Sequence, residues 1–469
     1  MKDHQNKNQD NPRSFNSPGE NMGKFDLRGR KCLIPEMNRI GCNLLAGTLR
    51  GFGVDASVME TGKGIDIAME YSSGKECYPC HITLGDILYY LRREKKRLGE
   101  SFNADNYVYF LPEADGPCRF GMYNKYQRIV LDSFPELRSL KIASVTTQDG
   151  YSLDRMMDRK VVGDFKKSAF LSLIAGDILD RLLWRIRPYE KELGMADNFI
   201  ERAMIRMADS FEDRINGKGH NAILDQLEDI IREGKEIIDP DMPRKPLIGV
   251  VGEIYLRNHT MANQDLIRTL ERYGAEVVNA SVVEWVNFIS YNRLRNAKNK
   301  LRMNLKQLRL NGLFTDLKSI INHALELWYQ EHKQEQVYRM ARDIIDIADD
   351  HHISHLEEIL KKENIFSFDV GTEACLSIPG ILEYAKNGYN GVVNVYPFTC
   401  MPSTITSAVI SPLMNSRGIP YIDTPYDSSI QPGRESALRT FMYQAGRHMK
   451  RYGRKNKQLK NKCFKMSLM

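Results

Sequence analysis

The chain has 469 residues, 42% hydrophobic and 27% charged, which leaves room for two or three domains and a large core and excludes a disordered or fibrous chain. Its net charge of +7 is concentrated at one end: nine Lys or Arg and no acid lie between Arg447 and Met469, so the remainder carries −2. A near-neutral body argues against a nucleic-acid-binding domain, and the basic end reads as a solvated extension or as a contact for RNA, an anionic surface or an acidic partner.

Residues 1–29 read as a disordered polar tail. They lack the apolar stretch of a secretory signal, and no apolar run in the chain is long enough to span a bilayer. The expected compartment is the cytoplasm. Eight cysteines there should be reduced, so close pairs point to metal or redox chemistry before disulfides.

Residues 30–150 alternate strand and helix. "RKCLIPEM" and "VDASVME" read as strands around the helical "CNLLAGTLRGFG", and "NYVYFLPEADGPCRFG" is a strand with a Gly/Pro loop before the helical "MYNKYQRIVLDSF". That grammar predicts a parallel sheet with covered faces. Residues 151–244 carry long amphipathic helices, "LSLIAGDILDRLLWRIRPYEKELG" and "NAILDQLEDIIREGKEII", and read as a helical connector ending in the proline-rich "DPDMPRKP". Residues 245–446 form a second α/β unit, from "LIGVVGEIYLRNHTMANQDLIRTLERYGAEVV" to "GYNGVVNVYPFTCMPSTITSAVISPLMNSRGIPYIDTPYD", with a charged helical insertion at about 290–365. Residues 447–469 form the basic tail. The predicted fold is therefore α/β: two Rossmann-like parallel-sheet lobes, a helical connector and a helical insertion.

Cys77 and Cys80 stand in "SGKECYPCHITLGD" at a predicted helix start, with Pro79 in its first turn. Cys118 lies in "ADGPCRFG" and Cys400 in "YPFTCMPST", each between a strand and a helix, with Ser403 or Thr404 available as a cap. In open parallel sheets this level, past the carboxyl ends of the strands, is where ligands bind. Helix N-termini also favour thiolate. Four thiolates can hold an iron–sulfur cluster or a zinc ion. The wide spacing suits a site assembled from two domains better than a compact zinc ribbon. Ordinary buried thiols and a thioredoxin-like dithiol at Cys77 and Cys80 are the other readings. Cys32 reads as core. Cys42 and Cys375, near apolar helix patterns, are buried thiols or extra ligands of a larger cluster, and Cys463 falls in the basic tail.

Glu253 and Arg257 follow the "LIGVVG" strand, with Asn258 and Gln264 nearby. They could orient a substrate or donate to cluster sulfides, or form a helix-capping loop. Arg119 and Lys75 flank the cysteines as further donors or as a solvated rim. "HHISH" holds His351, His352 and His355. The four-residue spacing of His351 and His355 suits a metal on a helix, but the polar segment reads as a solvated helix face. "FDVGTEA", from Phe368 to Ala374, superficially resembles a phosphate-binding D-x-G-T, yet a helix follows it and no G-x-x-x-x-G-K-S/T occurs, so nucleotide binding is not expected.

Together, "SGKECYPCHITLGD", "FLPEADGPCRFGMYN", "VGEIYLRNHTMANQDLI" and "VVNVYPFTCMPSTI" resemble the dehydratase-like region of the 2-hydroxyacyl-CoA dehydratase activase-related proteins (CoA-substrate-specific enzyme activases), without their fused ATPase module. The chain is more distantly similar to the 2-hydroxyglutaryl-CoA dehydratase subunits and to double-cubane iron–sulfur proteins. The resemblance runs from about Lys31 to Arg447. It implies an iron–sulfur cluster, [4Fe-4S] or larger, on Cys77, Cys80, Cys118 and Cys400. It also implies low-potential electrons from a separate ATPase activator of the actin-like superfamily, an acyl-CoA or other small-molecule substrate, and pairing as a homodimer. In true dehydratases the electron converts a thioester into a ketyl radical. The expected function is thus an iron–sulfur redox protein, a reductase or dehydratase-like component. The alternative is a non-catalytic adaptor whose same cysteines hold structural metal.

Overall fold

The computed structural model describes residues 21–213, 219–308 and 312–453. The fold is mixed α/β with two lobes, each built on an all-parallel sheet. The first lobe runs β1 (Met22–Gly23), β2 (Lys31–Ile34), α1 (Arg39–Arg50), β3 (Ala56–Val58), α2 (Ile65–Met69), α3 (Tyr78–Leu98), β4 (Tyr107–Phe110), α4 (Tyr123–Asp132) and β5 (Lys141–Ala143). Its sheet order is β1-β5-β4-β2-β3. The connector is α5 (Arg159–Ile186), α6 (Met195–Glu212) and α7 (His220–Lys235).

The second lobe opens with β6 (Leu247–Gly252), α8 (Ile254–Asn258), α9 (Leu266–Arg272) and β7 (Glu276–Asn279). The helical excursion follows: α10 (Val282–Lys306), α11 (Leu313–Ile344) and α12 (Ile353–Glu363). The lobe closes with α13 (Ala374–Lys386), β8 (Gly391–Pro397), α14 (Met401–Arg417), β9 (Tyr421–Tyr426) and α15 (Arg434–Tyr452). Its sheet order is β7-β6-β8-β9. Every residue of β6 is buried, as a strand covered on both faces requires.

Four details differ from the sequence reading. The sheet already includes Met22 and Gly23, which pair with Ile142 and Ala143, so the first lobe starts before residue 30. The excursion starts at Val282, directly after β7, rather than near 290. Both β5 and α6 went unpredicted. Residues 447–452, assigned to the basic tail, are the last turns of α15; residues 454–469, with Cys463, lie outside the described residues.

Both sheets reverse their strand order beside a central pair, β2 and β4 in the first, β6 and β8 in the second. Such switch points open a crevice at the carboxyl ends of the strands. Helix α3 joins the lobes across it. Cys77, Cys80 and Leu84 pack in the first-lobe core, whereas Tyr78 and Ile82 pack with Ile248, Val250 and Tyr255 of the second. Thr61 Oγ1 lies 2.9 Å from His259 Nε2 across the same junction.

The connector is tied to the second lobe by buried charge. The Asp177 carboxylate accepts from the Val282 and Val283 amides at 3.0 and 2.9 Å, capping α10. Arg181 donates to Asp350, to Tyr338 Oη at 3.1 Å and to the Ala348 carbonyl at 3.0 Å. Asp350 Oδ2 also accepts from Ser281 and Gln334 at 2.6 Å and from Tyr338 at 2.9 Å.

Gly252, at the end of β6, has φ +115°, and a Cβ there would sit 2.0 Å from the Val395 carbonyl oxygen. Gly252→Ala is expected to cost roughly 3–5 kcal/mol, combining left-handed strain with overpacking. Urea unfolding monitored by circular dichroism measures it.

Candidate functional site

Three of the four singled-out cysteines are N-cap residues: Cys77 of α3, Cys118 of the short 3-10 helix Arg119–Met122, and Cys400 of α14. None of these helix starts has a side-chain cap hydrogen bond; the Phe120 and Ser403 amides face the Cys118 and Cys400 sulfurs, where partial positive charge favours an anion. Cys80 follows in the first turn of α3, its amide donating to the Cys77 carbonyl at 2.8 Å. Cys118 lies beyond β4 and Cys400 beyond β8, two of the four central strands, so both lobes deliver a thiol from the switch point.

Arg119 draws the three loops together. Its guanidinium donates to the Lys75 carbonyl, two residues before Cys77, and to the Thr399 carbonyl and hydroxyl at 3.1 and 3.3 Å, one residue before Cys400. Thr399 has φ +64°, a strained conformation for a β-branched residue, and it turns its carbonyl to Arg119. Lys75 contributes its backbone, and its side chain is exposed.

Burial pushes all four thiols up, Cys80 and Cys400 to about 12. Nearby donors pull part of the way back: Arg119 and the Tyr123 hydroxyl at Cys77, the Gln127 amide at Cys80, the Phe120 amide at Cys118, and Ser403 at Cys400. Gln127 Nε2 lies 3.8 Å from Cys80 Sγ. An exchanging dithiol needs a depressed pKa, and Cys77 and Cys80 are shifted the other way. Four thiols, three buried and Cys118 part-buried, with N–H and O–H donors, are a set that could hold a cluster, whose own positive ions would replace the missing counter-charge. Among the described residues, no group of three or more His, Cys, Asp or Glu side chains that could hold a metal ion is formed.

Two carboxyls share the site. Glu253 caps α8, accepting from the Tyr255 and Leu256 amides at 3.0 and 2.9 Å, so the helix-capping reading describes its bonds. It also faces the sulfurs: its charge raises Cys77, Cys118 and Cys400. Burial, with the Glu373 charge behind it, pushes Glu253 to about 7. Glu373, just before α13, is raised by burial, and its Oε2 is buried with no hydrogen-bond partner. Glu373 sits in "FDVGTEA", which carries no phosphate loop but one wall of the site. Tyr151 stands beside Cys118 and Glu373 and accepts from Trp285 Nε1 at 3.1 Å.

Other singled-out residues lie elsewhere or are engaged. Arg257 is buried and donates to the Gly252 and Ser281 carbonyls at 2.9 and 3.0 Å. Asn258 Oδ1 accepts from Asn279, and Gln264 bonds Ser429 and Arg434. Cys32 is core in β2. Cys42 Sγ lies 3.7 Å from the Pro35 carbonyl and accepts from the Met37 amide at 3.5 Å; Cys375 Sγ contacts the Ser367 and Phe368 carbonyls at 3.8 and 3.7 Å. His351 and His352 precede α12, so they share no helix face with His355. Nor is His351 solvated: it is largely buried, with Nδ1 3.0 Å from Glu284 Oε1, while His355 meets Glu383 at 3.2 Å.

A cavity of about 580 Å³ opens beside the site. Asp115 and Gly116 of the Cys118 loop, Thr147, Trp285, Arg293 and Gly371 line it, among others. Among the described residues, no helix is long and apolar enough to cross a membrane. No family model matches the chain, and no curated protein matches it.

Proposed function

We propose that the chain is an iron–sulfur redox protein whose cluster is held by Cys77, Cys80, Cys118 and Cys400. It is charged by a separate ATP-hydrolysing activator of the actin-like superfamily, and it acts on an acyl-CoA or other small molecule in the adjoining cavity. The observation that carries this reading is the placement of three cysteine N-caps, from both lobes, on loops bound by one arginine. The resemblance to 2-hydroxyacyl-CoA dehydratase components supplies the partner and substrate class. A bound cluster supplies one-electron chemistry at low potential.

The chain's own residues set the conditions. Burial of Cys77, Cys80 and Cys400, with Cys118 part-buried, limits water at the sulfurs. The Phe120 and Ser403 amides favour negative charge on Cys118 and Cys400, and Arg119 does so on Cys77. Glu253 and Glu373, when ionised, oppose the arrival of a further electron, which suits a donor driven by ATP. Trp285 lines the cavity and donates to Tyr151, which stands beside Glu373 and Cys118.

The test is iron, sulfide and zinc per chain after anaerobic purification, with absorption spectra before and after reductant. About four irons with equal sulfide and a charge-transfer band that bleaches supports the reading. Zinc alone supports the adaptor with structural metal. Metal-free protein with a reversible Cys77–Cys80 disulfide supports a thiol oxidoreductase. Arg119→Ala, which removes three bonds worth about 1 kcal/mol each, is expected to lower Tm by no more than several degrees. It should shorten the half-life of the iron absorbance in air several-fold, read at the charge-transfer band.

A further inference from the structure

Helix α11 exposes Phe314, Leu317, Ile321, Leu325 and Trp328, each between 48 and 80% open. At 100° per residue these five fall within about 80° of the helix circumference and span about 21 Å. The opposite side of the same stretch is polar. Asp316 is buried and bonds Asn304 at 2.7 Å and Lys300 at 2.9 Å. Ser319 and His323 line the cavity, and Glu326 bonds Arg293 at 2.8 Å. Here the helix is inverted: charge faces its neighbour α10 and large apolar side chains face solvent, the reverse of a stable surface helix.

The row has a symmetry that selects its occupant. Phe314 and Trp328 lie equally far from Ile321, and so do Leu317 and Leu325. Turning a second α11 antiparallel about a two-fold axis through Ile321 therefore sets Phe314 against Trp328, Leu317 against Leu325, and Ile321 against itself. An isologous dimer requires that self-complementarity. Lys318 is the one charged residue among the exposed positions from 314 to 328, whereas a helix bound at a lipid surface is rich in Lys and Arg. The five side chains offer on the order of 600 Å² per copy, most of the roughly 800 Å² per partner of a standard interface.

We propose that the α11 apolar row is a homodimer interface, with the two-fold axis at Ile321. The proposal is independent of the cysteine site. It is tested by sedimentation velocity on the full chain at concentrations on the order of 10 μM. Wild type is expected at twice the chain mass. Ile321→Asp, with unchanged circular dichroism and Tm, is expected to be monomeric, its dissociation constant raised at least about tenfold. Ile321→Cys, oxidised, is expected to give a 321–321 disulfide identified by peptide mass spectrometry. A monomeric wild type, a dimer that survives Ile321→Asp, or a dimer without the 321–321 link overturns the proposal. So does a monomer that co-sediments with phosphatidylserine vesicles and loses that binding in Ile321→Asp, which would give the row to a lipid surface.

Discussion

Alanine at Cys400 is expected to strip the anaerobically purified protein of iron and sulfide as completely as alanine at Cys77, although the two residues belong to different lobes. The proposed cluster has one ligand set, and the second lobe contributes Cys400 to it from the end of β8. Alanine at Cys80 or Cys118 should do the same, from about four irons per chain to well under one. Cys42→Ala and Cys375→Ala should keep their iron, because both sulfurs are engaged by backbone carbonyls instead. Iron and sulfide assays on the six variants decide it. Full iron in Cys400→Ala would remove the second lobe from the site. Loss in Cys42→Ala or Cys375→Ala, with folding intact, would mean a larger cluster.

The second large effect lies at the joint between connector and second lobe. Arg181→Met removes the one guanidinium that pairs with Asp350 among the described residues, leaving a carboxylate whose side chain is 8% exposed. The Ser281, Gln334 and Tyr338 donors remain, but an uncompensated buried charge costs about 3–5 kcal/mol. Urea unfolding should show that loss. Arg181→Met with Asp350→Leu, which removes both charges, should recover much of it, because replacing a whole buried pair by apolar side chains is often neutral. If the single variant unfolds like wild type, the pair is not what holds α5 to the turn before α12.

Much of the architecture was legible in the sequence. "LIGVVG" and "GVVNVYPF" are too apolar to be anything but covered strands, and they became β6 and β8. The strand–loop–helix grammar also placed Cys77, Cys118 and Cys400 at the level where the structure has them. The failures have local causes. The spacing of His351 and His355 was read along a helix that begins only at Ile353. Glu373 was missed because its segment was examined for a phosphate loop. The signal was the lone acid heading the apolar "EACLSIPGIL", a carboxyl that folding must bury or pair. The three bonds of Arg119 had no sequence signal, since they join loops from distant parts of the chain.

The distribution of the thiols along the chain sets the order of biosynthesis. Cys77, Cys80 and Cys118 emerge from the ribosome early, and domains fold as they appear. Cys400 comes near the very end, after the connector and α10 to α13. On the proposed ligand set, the three thiols of the first lobe would be made well before the fourth. A cluster on that proposed set could be completed only after β8 and Cys400 have emerged, late in synthesis.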